Sequence, residues 1–113
     1  MDESTVILVT NDGLGQAEEA LRHKLVTNYF QTLLETELLP GAILFYAQGV
    51  KLTVDGSPCL AQLRELETEG VRLIICRTCL DFYGLLEKVR VGVIGNMLMI
   101  VEQQKDADKV ITV

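Results

Sequence analysis

The run Thr5-Val6-Ile7-Leu8-Val9-Thr10 is apolar and β-branched almost throughout, and it closes on Asn11-Asp12-Gly13. A strand without polar alternation has no face to give to water, so it has to be covered on both sides, as strands inside parallel sheets are. Two further runs repeat the pattern. They are Ala42-Ile43-Leu44-Phe45-Tyr46, after the break at Pro40-Gly41, and Val71-Arg72-Leu73-Ile74-Ile75-Cys76, after Gly70.

The intervening segments read as helices. From Ala17 to Glu37, Leu21, Leu25, Tyr29 and Leu33 recur every four residues with Val26, Phe30 and Leu34 beside them, which predicts a helix with a broad buried face. Ser57-Pro58 supplies an N-cap and the one helical position where proline is comfortable, and Cys59, Leu60, Leu63 and Leu66 form an apolar stripe that runs to Gly70. Val50 to Val54 is a short segment ahead of a turn at Asp55-Gly56. Cys79 to Leu86 predicts a short helix interrupted by Gly84, and Arg90 to Val93 a brief fourth strand. Asn96 to Asp108 predicts a helix with Met97, Ile100 and Val101 on one face, and Lys109 to Val113 a closing strand. Strands alternating with helices require right-handed crossovers, so the expected fold is α/β: a three-layer α/β/α sandwich with a mostly parallel sheet, in one domain spanning residues 1–113.

Composition narrows the functional classes. Ten Lys+Arg against 16 Asp+Glu give a net charge of −6, and no basic run exists to follow a phosphate backbone, which argues against nucleic-acid binding. The acidic start Met1-Asp2-Glu3-Ser4 is unlike a secretory signal, and no apolar stretch approaches the roughly 18 to 20 residues of a membrane span. Three unevenly spaced cysteines fit free thiols in a reducing compartment. The expectation is a soluble cytoplasmic protein.

In open α/β sheets chemistry collects beyond the C-terminal ends of the strands. Those ends are Asn11 to Gly15, Gln48-Gly49, Cys76 to Cys79, and Ile94-Gly95-Asn96. Cys76-Arg77-Thr78-Cys79 is the sharpest signal among them, because a C-x-x-C at a strand-to-helix junction sets a thiol near exposed backbone N–H groups that favour a thiolate. Arg77 acts in the same direction and Asp81 against it, so the sign of the net shift is open at this point. Three readings compete: a redox or sulfur-carrying thiol, structural cysteines, and half of a zinc site. Zinc is the weakest, since no second ligand pair exists, and a thioredoxin-like fold is disfavoured because the motif does not open a long helix.

Other features have plainer readings. Cys59 lies on an apolar stripe as a small hydrophobe, and His23, between Arg22 and Lys24, reads as a solvated surface residue. Asn11-Asp12-Gly13-Leu14-Gly15 lacks both the third glycine of a dinucleotide fingerprint and the Gly-Lys pair of a P-loop, so it reads as a structural turn or a nest for a small anion. Met97 and Met99 cannot both face inward on one helix. No cofactor or metal is expected.

Several stretches carry a family resemblance: Val50-Lys51-Leu52-Thr53, Arg72 to Cys76, Thr78-Cys79-Leu80-Asp81-Phe82-Tyr83-Gly84, and Val91-Gly92 with Asn96-Met97. Together they resemble the DsrE/DsrF-like family, nearest to the C-terminal domain of YedF-type "sulfurtransferase-like, selenium metabolism" proteins, over Val6 to Val113. The resemblance implies a parallel five-stranded α/β sandwich that assembles into homotrimers or hexamers, with relatives acting in sulfur relay as persulfide carriers. By position Cys79 is the implied carrier and Cys76 a neighbour able to resolve or release the persulfide. Asn11, Gly13, Gly15 and Asn96, with Arg77, Thr78 and Tyr83, are the implied pocket. Implied partners are a sulfur donor and an acceptor protein, one of them TusA-like. YedF-type proteins usually carry a TusA-like domain ahead of this one, which would here be a separate chain or be dispensed with. Arg77 stands where a small residue is expected, which narrows or charges the pocket. The alternative expectation is a non-catalytic oligomeric module that binds a small anion or a protein with its cysteines structural, and a third is a dithiol redox protein.

Overall fold

A computed structural model describes residues 1–113. Five strands form one all-parallel sheet: β1 (Thr5–Val9), β2 (Ala42–Phe45), β3 (Arg72–Cys76), β4 (Val93–Gly95) and β5 (Lys109–Thr112), in the order β4-β3-β2-β1-β5. Helices α1 (Glu19–Thr36), α2 (Leu60–Thr68), α3 (Arg77–Phe82) and α4 (Met97–Asp106) connect them, and a 3-10 segment, Ala47–Thr53, follows β2. The three central strands are the three apolar runs of the sequence. Every residue of β1 and β2 is buried, and so is all of β3 after Arg72. Val6 pairs with Ala42 and Ala42 with Arg72, so the strand ends align and their C-terminal loops share one rim.

Helix α1 starts two residues later than the sequence pattern predicts and buries a narrower part of the anticipated face. Val26, Phe30 and Leu33 are inside, whereas Leu21 and Leu25 are exposed. The reason is geometric. At about 100° per residue, a four-residue spacing advances roughly 40° beyond a full turn at each step, so Leu21 to Leu33 winds around the helix instead of holding one face. Val26, Phe30 and Leu33 are spaced four and three apart and stay together on one face. Helix α1 ends ahead of Pro40, with Glu37 in the left-handed region at φ 55° and the Leu38 N–H donating to the Leu33 carbonyl at 3.1 Å.

Other boundaries differ as well. The Val50–Val54 segment is largely 3-10 helical, its Val50 and Leu52 drive it into the core, and Val54 alone makes a bridge, antiparallel, to Val89. Helix α2 begins at Leu60 with Cys59 as its N-cap residue, so Ser57-Pro58 lies ahead of the helix instead of capping it. The Ser57 hydroxyl accepts the Cys59 N–H at 3.2 Å in the preceding turn. The fourth strand is Val93–Gly95, not Arg90–Val93. Gly92 turns the chain at φ 77° and sets Gly95 opposite Cys76.

Helix α3 begins at Arg77, two residues ahead of expectation, and its end is sealed by the Leu85 N–H on the Leu80 carbonyl at 2.8 Å with Gly84 at φ 69°. Starting there places Cys76 at the cap and Cys79 three residues on. Positions three apart on a helix stack on one side, so both thiols face the same way. In α4, only Ile100 of the anticipated Met97, Ile100 and Val101 face is buried. No helix is long and apolar enough to cross a membrane.

Candidate functional site

The rim above β3 and β2 holds the two thiols. Cys76 is buried where β3 ends, and Cys79 is half-buried one helical turn later. The Cys79 S–H donates to the Cys76 sulfur at 3.1 Å, and the backbone N–H of Ala47 donates to the Cys79 sulfur, also at 3.1 Å. Burial of Cys79 pushes its thiol above the ordinary value and the proton shared with Cys76 pushes it further up, while the Ala47 N–H pulls it down. The balance is upward. The net direction is away from the thiolate, and neither Arg77 nor Asp81 is among its causes. The helix start expected to supply N–H groups does not reach this sulfur; the donor comes from the loop after β2.

That loop is held by β1. The Tyr46 N–H donates to the Val9 carbonyl at 3.1 Å and the Gly49 N–H to the Tyr46 carbonyl at 3.0 Å. Gly49 packs so closely that a Cβ there would collide with the Val9 carbonyl oxygen. Between these anchors Ala47 adopts φ 52°, a left-handed conformation that costs a non-glycine residue about 1 kcal/mol. Ala47 is exposed and has no side-chain chemistry. The sequence places Gln48-Gly49 at the rim but gives no sign of Ala47, because a backbone donor leaves no mark on residue type.

The other anticipated pocket residues are distributed around the rim. The Asn11 amide donates to the Gly15 carbonyl at 2.8 Å and lines a shallow polar basin of about 600 Å³ with Gln16, Glu18, Arg22 and Gln48. Gly13 is buried at φ 136° against Arg22, and Gly15 is exposed. Tyr83 lies under the Lys51 ammonium, 4.5 Å from its ring centroid, in a second cavity of about 400 Å³ with Asp12 and His23. Arg77 and Thr78 are exposed on α3. Asn96 caps α4, its side chain accepting the Met99 N–H at 2.9 Å. Cys76 and Cys79 line neither cavity; Cys79 lies beside Ala47, and Cys76 is buried next to it.

His23 is less solvated than expected. Its Nε2 lies 3.3 Å from Asp12 Oδ1, and Arg22 clamps the same loop, its Nε donating to the Asp12 carbonyl at 2.9 Å. Asp12, Glu19 and His23 bring one donor atom each within 4.8 Å, with the Arg22 guanidinium 3.8 Å from the Asp12 carboxylate. Cys59 matches its anticipated role: fully buried, with its thiol pushed up to about 11 by burial.

A family model described as "DsrE/DsrF-like family" matches residues 3–113. The fold is similar to that of the ychN protein from E. coli, with TM-score 0.67 and 20% identity over 96% of this chain and 98% of that one. It is also similar to MTH1491 from Methanobacterium thermoautotrophicum, a protein of unknown function, with TM-score 0.69 and 19% identity over 96% and 97% of the two chains. BT1422 from Bacteroides thetaiotaomicron gives TM-score 0.69 and 12% identity over 97% and 95%. None of the curated proteins matches the chain.

Proposed function

This chain belongs to the DsrE/DsrF-like family, a family associated with sulfur relay, and from that premise we propose that it carries sulfane sulfur as a persulfide on Cys79. The observation that carries the reading is the thiol pair, Cys79 half-buried on the rim with a backbone donor on its sulfur and Cys76 at 3.1 Å beneath it. In the loading step the Cys79 thiolate attacks the outer sulfur of a donor persulfide. A Cys79–sulfur bond forms, the donor's sulfur–sulfur bond breaks, and the donor leaves as a thiolate. Delivery is the same displacement by an acceptor thiolate on the outer sulfur of the Cys79 persulfide. Alternatively the Cys76 thiolate attacks the Cys79 sulfur and expels hydrosulfide, leaving a Cys76–Cys79 disulfide that an external dithiol must reduce.

In this proposal the donor and acceptor are other thiol proteins, one of them TusA-like, in the cytoplasm, and the chain is kin to YedF-type domains. The carrier works as a homo-oligomer, trimer or hexamer. Phe82, Val93, Met97 and Leu98 leave large apolar side chains exposed on α3, β4 and α4, as subunit contacts do. Light scattering after gel filtration reads the subunit number, and a monomer at micromolar concentration would overturn the assembly.

Intact mass spectrometry of the reduced protein after incubation with a persulfide donor tests the function. One added sulfur, about 32 Da, that is lost in Cys79→Ser and kept in Cys76→Ser is the expected result. No adduct on a folded protein would overturn it. That outcome would favour the second reading, a module that binds a small anion or a protein, which the polar basin lined by Asn11, Arg22 and Gln48 supports.

A further inference from the structure

We propose that the backbone N–H of Ala47 is the group that stabilises the Cys79 thiolate, and that the loop after β2 is built to aim it there. The inference rests on the reading of Cys79 as the reactive sulfur and assigns the positioning group for it. Helix α3 is six residues long, and its own first N–H groups are not among the partners of the Cys79 sulfur, whose two contacts are the Cys76 thiol and the Ala47 N–H. Cys76 accepts a hydrogen bond from the Cys79 S–H and so favours the neutral thiol. Only Ala47 donates to the sulfur, and a donor favours the charged form.

The aim of that N–H is set by packing, not by chance. Tyr46 is tied to Val9, Gly49 to Tyr46, and the Gly49 backbone rests on the Val9 carbonyl at a distance no side chain would permit. Between two such anchors the chain must reverse, and it does so by holding Ala47 at φ 52°, where an alanine gains nothing of its own. The Cys79 sulfur is 32 residues away in sequence and reaches the donor only because β2 and β3 are neighbours. The strained residue and the contact it produces coincide at one atom of the rim.

The test reads ionisation and uses no sulfur donor, so its failure is distinct from failure of the persulfide assay. In the wild-type protein, the Ala47 amide proton resonance is expected to shift with pH at the same midpoint as alkylation of Cys79 by iodoacetamide. The shift is expected to vanish in Cys79→Ala. Replacing Ala47 by lactate, its α-hydroxy acid counterpart, exchanges the N–H for an ester oxygen and keeps the methyl group. Alkylation of Cys79 at pH 7 is then expected to slow roughly tenfold, with its midpoint raised by about one pH unit, as for loss of one hydrogen bond to a charged group. Ala47→Gly, which retains the N–H and accepts positive φ, is expected to keep the wild-type midpoint. An Ala47 amide that ignores the Cys79 titration would overturn the proposal. So would a folded ester variant alkylated at the wild-type rate, and the resonance measurement decides if the ester variant does not fold.

Discussion

The Cys79 sulfur lies 3.1 Å from that of Cys76, and the proton between them belongs to Cys79. Because Cys76 is buried at the end of β3, it presents an acceptor that favours the neutral form of its neighbour. Cys76→Ala removes that acceptor. Alkylation of Cys79 at pH 7 should therefore become several-fold faster, at a cost in stability of about 1 kcal/mol for the small cavity left behind. A slower reaction in the folded variant would show that the shared proton does not restrain Cys79.

Cys59 should behave oppositely to a reactive thiol. It is fully buried, and its thiol is pushed from 9.0 to about 11 by burial. Its folded form holds its proton through a window in which the unfolded chain has lost it, so stability present below about pH 9 falls as pH rises toward 11. Urea denaturation at pH 8 and pH 11 should show a loss for the wild type that exceeds that of Cys59→Ala by roughly 2 kcal/mol. Equal losses would remove Cys59 as the source.

Gly49→Ala should destabilise the protein by about 2 kcal/mol or more, since the new methyl group has only the Val9 carbonyl to displace. Urea denaturation reads the loss. The same substitution should disturb the Ala47 amide resonance and the Cys79 alkylation midpoint, although residue 49 touches neither thiol. A stability change with both signals intact would separate the loop anchor from the thiol.

Glu37→Gly should raise stability. Glu37 closes α1 in the left-handed region that glycine occupies freely, and its position is exposed. A gain of about 0.5 to 1 kcal/mol, seen as a higher thermal midpoint, is the expected result. A loss would mean that the Glu37 side chain contributes more than its backbone strain costs.

Much of this architecture is legible along the chain. The runs at Val6, Ile43 and Ile74 could only be buried strands, and helical segments between them left the parallel sheet as the way to connect them. The thiol pair was equally visible, because Cys76 and Cys79 are neighbours in sequence and one turn of helix carries both. Cys59, too, read correctly from its stripe. The errors fall where sequence distance and spatial distance part. The stripe from Leu21 to Leu33 looked regular by spacing yet winds around α1, and of the anticipated broad face only Val26, Phe30 and Leu33 are buried.

What the sequence by itself determined is the order of elements, the core strands and the two sulfurs, since each depends on residue type within a few positions. The tertiary structure decided the state of those sulfurs. Whether Cys79 is thiol or thiolate depends on its burial, on the direction of the Cys76 contact and on a backbone N–H 32 residues away. It likewise decided that Asn11 and Tyr83 line different cavities and that His23 meets Asp12. A backbone donor is the same group at every non-proline residue, so its aim is set by the path of the chain, which depends on contacts between strands distant in sequence.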